Sequence, residues 1–108
     1  MSDRLKRLQS FLDASPGDSF ILFAIAKEYE KLNQPNEALD HYLTLKSNNP
    51  EYVGLYYHLG KWYEKDEQYQ KAIETYTEGM NIAKNQGDQH SLNELAGARL
   101  GLVDDDDL

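Results

Sequence analysis

Apolar residues recur every three or four positions along most of this chain, and Pro, Gly or Asn interrupts them at regular intervals. Apolar residues at that spacing predict helices with one buried face, and the interruptions predict turns. Short helices joined by short turns are therefore expected from about residue 3 to about residue 102. Residues 20–26 are almost uniformly apolar, which is typical of a helix packed between neighbours.

The same pattern of residue types recurs after thirty-four residues. Small, aromatic and aliphatic residues recur in the same order in both copies, and Pro16 and Pro50 lie one period apart just before them. The corresponding pairs are Ile25 and Leu59, Ala26 and Gly60, Tyr29 and Tyr63, Ala38 and Ala72, and Tyr42 and Tyr76. A period of this length indicates a repeated helix–turn–helix unit.

This period and pattern resemble the tetratricopeptide repeat over about residues 16–85. The resemblance implies an all-α fold, a right-handed stack of antiparallel helix pairs of the α-solenoid type, with about five helices. We expect a single domain over 1–103: a half-repeat helix at 3–13, repeats at about 19–50 and 53–85, and a capping helix at about 89–102. Residues 104–108 form an acidic tail.

The flanking helices are assigned by their own patterns. Leu8 and Phe11 stand where the second helix of a preceding repeat would keep core residues, so both are expected to be buried. Gly87 is expected to adopt a left-handed conformation that ends one helix, and Asp88 to cap the next. A terminal helix with one apolar face can cover the open end of a repeat array.

Composition narrows the function. The 108 residues carry a formal net charge of −8 and no cysteine. Phosphate backbones and acidic lipids repel such a chain, so neither nucleic acid nor a membrane is expected as a partner. No apolar run is long enough to span a bilayer, so a cytoplasmic location is the default.

The residues of catalytic and metal sites are not gathered by the pattern. His41, His58 and His90 fall on three different predicted helices, and the glycines are isolated, so no phosphate-binding loop is formed. We therefore expect no enzyme activity and no catalytic residue, metal or cofactor.

A matched set of side chains lies on one face of the first helix of each repeat. Its members agree in type one period apart, Lys31 and Lys65 extend the series, and Phe20 adds an apolar side chain. The candidate protein-binding residues are Phe20, Phe23, Lys27 and Glu30 in the first repeat and Tyr57, Lys61 and Glu64 in the second. The resemblance implies that this face lines a concave groove that holds a peptide or helix of another protein.

Three alternatives stay open. The charged residues could be ordinary solvated pairs, which add only a few tenths of a kcal/mol. The exposed helix faces could instead form a structural homo-oligomer. Trp62 is expected to pack within its repeat, or else to serve as an exposed anchor. Some relatives bind the acidic C-terminal peptides of chaperones through a carboxylate clamp. This chain does not match that clamp, because Lys27 and His58 stand at positions where the clamp has other residues.

The acidic tail supports one further hypothesis. Because its charge is complementary to the lysines of the face, it could occupy the groove of its own chain or of a neighbour. A solubilising role is the simpler interpretation.

Overall fold

The computed structural model describes residues 2–103, and these residues form α-helices and no strand. The helices are α1 (Asp3–Ala14), α2 (Ser19–Lys31), α3 (Pro35–Asn48), α4 (Gly54–Lys65), α5 (Tyr69–Gln86) and α6 (Gln89–Leu100). The all-α prediction is confirmed, and every predicted boundary lies close to the observed one. The acidic tail, 104–108, falls outside the described residues.

The expected number of helices was too low by one. The described part of the chain contains six helices where about five were predicted. The half repeat contributes one helix, the two repeats contribute four and the capping helix contributes one. The segments expected from the sequence also add up to six helices, so the stated total of about five was a miscount.

The chain divides into two compact units, the first ending at Tyr52 and the second beginning at Val53. In unit 1, α2 packs against both α1 and α3. In unit 2, α5 packs against α4 and α6, and α4 also contacts α6. Each unit therefore contains one helix pair and one additional helix. The single domain over 1–103 stays a prediction.

The core of each unit is built from the positions that set the period. Tyr42 in unit 1 and Tyr76 in unit 2 are fully buried, and so are Ala38 and Ala72. Trp62 is also buried, which confirms the packing interpretation and excludes the exposed anchor. The largest fully buried aliphatic side chains are Leu5, Ile25 and Leu45 in unit 1 and Leu55, Leu59 and Leu95 in unit 2.

Two glycines of unit 2 permit close helix contacts. A Cβ atom at Gly60 would overlap the ring of Tyr76. Glycine is therefore required here because the ring packs directly on it. A Cβ atom at Gly79 would lie 2.5 Å from Tyr56 Cβ and 3.1 Å from a methyl group of Leu95. Gly79 stands where unit 1 has Leu45, and Tyr56 and Leu95 occupy the space that a side chain there would need.

The turns and caps follow the local chemistry. Asn33 and Glu67, one period apart, have φ angles of 58° and 60° between the two helices of each pair. Gly87 ends α5 with a φ of 70°, and Asp88 Oδ1 accepts a hydrogen bond of 3.0 Å from the Ser91 amide, which confirms both predictions for this break. Hydrogen bonds from Ser91 lower the pKa of the Asp88 carboxyl. Ser2 and Asp18 cap α1 and α2 in the same way.

The burial of Phe11 was predicted wrongly. Leu8 is buried as expected, but the side chain of Phe11 is 59% exposed. In a full repeat a preceding helix would cover this side of α1. Within the described residues, α1 packs on α2 and has no such partner, so its outer side stays open.

Candidate protein-binding surface

Each unit presents a lysine above an aromatic ring on the first helix of its pair. Lys27 Nζ lies 5.4 Å from the centre of the Phe23 ring, and Lys61 Nζ lies 5.4 Å from the centre of the Tyr57 ring. Positions four residues apart on a helix face the same side, which brings each lysine over its ring. A cation over an aromatic face is attracted to it and is held in position. The sequence-predicted matching of these residues thus corresponds to the same local geometry in both units.

The aromatic rings of these pairs rest on the cores of their units. Phe23 contacts Tyr42 with ring centres 6.3 Å apart, and Tyr57 contacts Tyr76 at 6.4 Å. Phe23 also lies 5.4 Å from the ring of Tyr52. Burial, followed by the charge of Asp18, raises the pKa of Tyr52. The ring under each lysine is therefore backed by a fully buried tyrosine.

Glu30 and Glu64 serve the interior as well as the surface. The Tyr42 hydroxyl donates a hydrogen bond to Glu30 Oε1, and the Tyr76 hydroxyl donates one to Glu64 Oε2. Burial is the main cause of the raised pKa of both tyrosines, and the hydrogen-bonded carboxylates raise these pKa values further. Buried hydroxyls need a partner, and these glutamates supply it.

This structural role was not anticipated from the sequence, although a signal for it was present. Glutamate and tyrosine stand twelve residues apart in both repeats, which is the spacing of the two observed hydrogen bonds. Any contact of Glu30 or Glu64 with a partner stays a prediction.

The two lysines differ in their ionic surroundings. Lys61 Nζ lies 3.4 Å from Glu64 Oε2, so its charge is partly compensated. Among the residues described, Lys27 forms no such pair and is exposed. The surface of unit 1 therefore presents the less compensated cation.

Unit 1 also has a cavity of about 380 Å³ between α1 and α2. Its lining combines two phenyl rings, three cationic side chains and one carboxylate. The lining residues are Arg4, Phe20, Phe23, Ala24, Lys27, Glu28 and Lys31. Three of the predicted site residues, Phe20, Phe23 and Lys27, are brought together here, and the side chain of Phe20 is 65% exposed.

The carboxylate of this cavity is already engaged. Glu28 is 5% exposed, and its Oε2 lies 3.3 Å from Arg4 Nε. The Ser2 hydroxyl donates to its Oε1 at 3.3 Å. Glu28 thereby joins α2 to the start of α1. No local pattern identifies Arg4 and Glu28 as neighbours, because the contact joins residues far apart in the chain.

No helix between residues 2 and 103 is long and apolar enough to cross a membrane. No group of three or more His, Asp or Glu side chains in that range is arranged to hold a metal ion.

A profile of the tetratricopeptide repeat matches residues 55–89, and no curated protein sequence matches the chain. A tetratricopeptide repeat domain protein from Salinibacter ruber is 40% identical; the match covers 79% of this chain and 94% of that one, with a TM-score of 0.76. The type III secretion translocator chaperone SycD of Yersinia enterocolitica shares 11% identity over 93% of this chain and 70% of its own, with a TM-score of 0.83.

The TPR2B domain of yeast Sti1, in a complex with pHsp70, shares 16% identity over 88% of this chain and 82% of its own, with a TM-score of 0.69. At 11% and 16% identity, these two structures show the fold alone. The Salinibacter protein is similar enough, over enough of its length, to show the family. The chain belongs to the tetratricopeptide repeat family.

Proposed function

We propose that this protein holds a peptide or helix of a partner protein on the first-helix faces of its two repeats. The family supports protein–protein interaction in general, and the matching Lys27–Phe23 and Lys61–Tyr57 pairs support the finer proposal. The face of unit 1 consists of Phe20, Phe23 and Lys27, and that of unit 2 consists of Tyr57 and Lys61. Glu30 and Glu64 accept hydrogen bonds from the buried tyrosines behind these faces.

The chemistry of the two faces suits a polypeptide with carboxylate and apolar side chains. Phe20 and Phe23 offer apolar contact, and the lysine ammonium groups offer charge-assisted hydrogen bonds to carboxylates. Aromatic side chains that are already held by packing lose little conformational freedom when a ligand binds. A buried tyrosine behind each ring supplies that rigidity.

The acidic tails of heat-shock chaperones are not the ligand that we propose. The yeast relative is seen with pHsp70, but the residues of the chaperone clamp do not stand at the matching positions of this chain. The partner is defined here by its chemistry alone.

The test is partner capture with two charge-matched double variants. Lys27→Glu/Lys61→Glu should lower the affinity for a captured partner by more than about tenfold, since the unpaired Lys27 contributes about 1.4 kcal/mol and Lys61, which is already paired with Glu64, contributes less. Lys6→Glu/Lys84→Glu makes the same change of charge at exposed positions, one in each unit and outside both faces, and should leave binding intact. Capture that survives the first double variant would refute the proposal.

Self-association is the alternative function. Phe11 and Phe20 are large, apolar and exposed in unit 1, and a second copy could cover them. Sedimentation velocity from micromolar to millimolar concentration separates the two functions. A monomer throughout the range supports partner binding, and a concentration-dependent dimer that Phe20→Ser disrupts supports self-association.

A further inference from the structure

We propose that the groove between α1 and α2 receives an acidic amphipathic helix of a partner protein. This inference rests on the proposed function, because Phe20, Phe23 and Lys27 belong to both. It adds the conformation of the bound segment, its charge, and two residues of the site, Arg4 and Lys31.

The packing of unit 1 leaves a groove between two helices. In each unit the two helices of the pair pack on each other: α3 on α2, and α5 on α4. By its position in the repeat frame α1 is the second helix of a pair, and its main contact is with α2, the first helix of the next pair. The cavity lies between α1 and α2, with Arg4 of α1 on one wall and one face of α2 on the other.

The lining of the cavity has the dimensions of a helix contact. Phe20, Ala24, Lys27 and Lys31 follow one another at intervals of three or four residues along α2. Such a stripe covers three turns of α2, about 16 Å at 1.5 Å per residue. The small side chain of Ala24 at its centre allows a second helix to approach closely, and rows of side chains at this spacing pack well against a helix.

The charges select an acidic helix. Arg4, Lys27 and Lys31 line the groove, and its one carboxylate, Glu28, is held by Arg4 and Ser2. No ion pair to Lys27 or Lys31 is found in the described part of the chain. This is a cationic site on a chain whose net charge is −8. Carboxylates spaced four residues apart on a partner helix would face Lys27 and Lys31, which are themselves four apart.

The test uses three synthetic peptides and the intact protein. The first is a hydrocarbon-stapled 14-residue helix with Leu and Ala on one face and Glu beside it. The second has Gln at every Glu position. The third, called the extended peptide, is unstapled and keeps the sequence of the first except that two prolines replace Leu residues and prevent a helix. Fluorescence anisotropy gives the affinities, and backbone amide shifts locate the bound peptide.

We expect the Glu helix to bind at least about tenfold more tightly than either other peptide, with amide shifts confined to α1 and α2. Lys31→Glu should weaken it at least about tenfold. Its matched control is Lys65→Glu, one period later and also in the last turn of a first helix, which should have no effect. Arg4→Gln, a milder change on the opposite wall, should weaken binding as well.

Other outcomes would overturn the inference in distinct ways. Equal binding of the Gln helix would refute the charge selection, and tighter binding of the extended peptide would refute the helical conformation. If the extended peptide binds and depends on Lys27 and Lys61, the inference fails and the proposed function stands. If no peptide binds and partner capture is unchanged by Lys27→Glu/Lys61→Glu, the inference and the proposed function both fail. A dimer that Lys31→Glu dissociates would assign the groove to a second copy of the chain.

Discussion

The two units of this protein share the same repeat but have different side chains on their surfaces. Both bury a tyrosine whose hydroxyl donates to a glutamate twelve residues earlier, and both place a lysine 5.4 Å from the ring centre of a neighbouring aromatic residue. At the position of Glu28 in unit 1, however, unit 2 has the buried Trp62. The shared residues make the fold, and the residues that differ decide what each unit can bind.

The difference leaves unit 1 with the more open surface. It has a cavity lined by three cations, and its Lys27 forms no ion pair in the described region. In unit 2, Lys61 is paired with Glu64, and α6 packs on the helix pair through Leu95, opposite Gly79. A repeat can therefore lose a position of its pattern, as at Gly79, when Tyr56 of its own first helix and Leu95 of an added helix fill the space.

The largest effect should come from raising the pH, since it acts on the tyrosine cores of both units. Burial, and then the charge of Glu78, raises the pKa of Tyr56 from 10.0 to about 12, and the pKa values of Tyr42 and Tyr76 are raised as well. A raised folded pKa means that the stability is complete below pH 10 and falls as the pH rises through the folded pKa values. Helix content should fall in the same cooperative step as the part of the tyrosinate absorbance that Tyr42→Phe, Tyr56→Phe and Tyr76→Phe remove, when both are followed from pH 8 to 13. Ionisation of these three buried tyrosines with the helices intact would contradict this.

Copying Leu45 of unit 1 into unit 2 should be nearly as damaging. Gly79→Leu inserts a side chain where even a Cβ atom lies 2.5 Å from Tyr56 Cβ, and overpacking of this kind costs about 3 kcal/mol. The control is Gly97→Ala in α6, where a Cβ atom would meet nothing within 4 Å; it should gain about 0.5–1 kcal/mol by favouring the helix. Urea unfolding measures both. An unchanged midpoint for Gly79→Leu would show that Tyr56 and Leu95 do not fill this position.

Removing one tyrosine hydroxyl from each unit tests whether the two tyrosine–glutamate hydrogen bonds contribute equally to stability. Tyr42→Phe and Tyr76→Phe each remove a hydrogen bond to a carboxylate and should each cost about 1.5 kcal/mol, the lower end for a charged acceptor, because the glutamates are half-buried. The control is Tyr69→Phe, whose ring is 51% exposed and whose loss should be negligible. If the losses of unfolding free energy for Tyr42→Phe and Tyr76→Phe differ several-fold, the two hydrogen bonds are not equivalent.

The smallest effect concerns the turns. Glu67 has a φ of 60°, where unit 1 has Asn33. Asparagine tolerates the left-handed region better than glutamate, so Glu67→Asn should stabilise the protein by about 0.5–1 kcal/mol. Glu67→Gln changes the charge and keeps the strain, and it should leave thermal unfolding unchanged. A gain from Glu67→Gln equal to that from Glu67→Asn would assign the effect to charge.

Most of the fold could be predicted from the sequence because local signals coincide with the repeat. Pro35, Gly87 and Asp88 mark helix ends by their own backbone and side-chain chemistry, and the period identifies which residues are buried. Trp62 was placed correctly in the core, although its counterpart Glu28 is charged. The burial of Phe11 was wrong because it depends on a covering helix that no local pattern can supply.

The binding surface could be predicted only in part. The Lys–aromatic pairs follow from residues four apart on one helix, so sequence spacing was sufficient to find them. The contact of Glu28 with Arg4 joins two helices and depends on how they pack. The hydrogen bonds of Glu30 and Glu64 also cross between helices, but their spacing of twelve residues recurs and could have been found.

The most direct test of this account compares Lys27→Glu with Lys61→Glu, each as a single change, in titrations against a captured partner. Lys27 lines the cavity of unit 1 and has no ion pair in the described region, whereas Lys61 is already compensated by Glu64. We predict that Lys27→Glu weakens binding by at least about tenfold and that Lys61→Glu has a clearly smaller effect. Equal losses, or a larger loss at Lys61, would contradict the claim that unit 1 carries most of the binding.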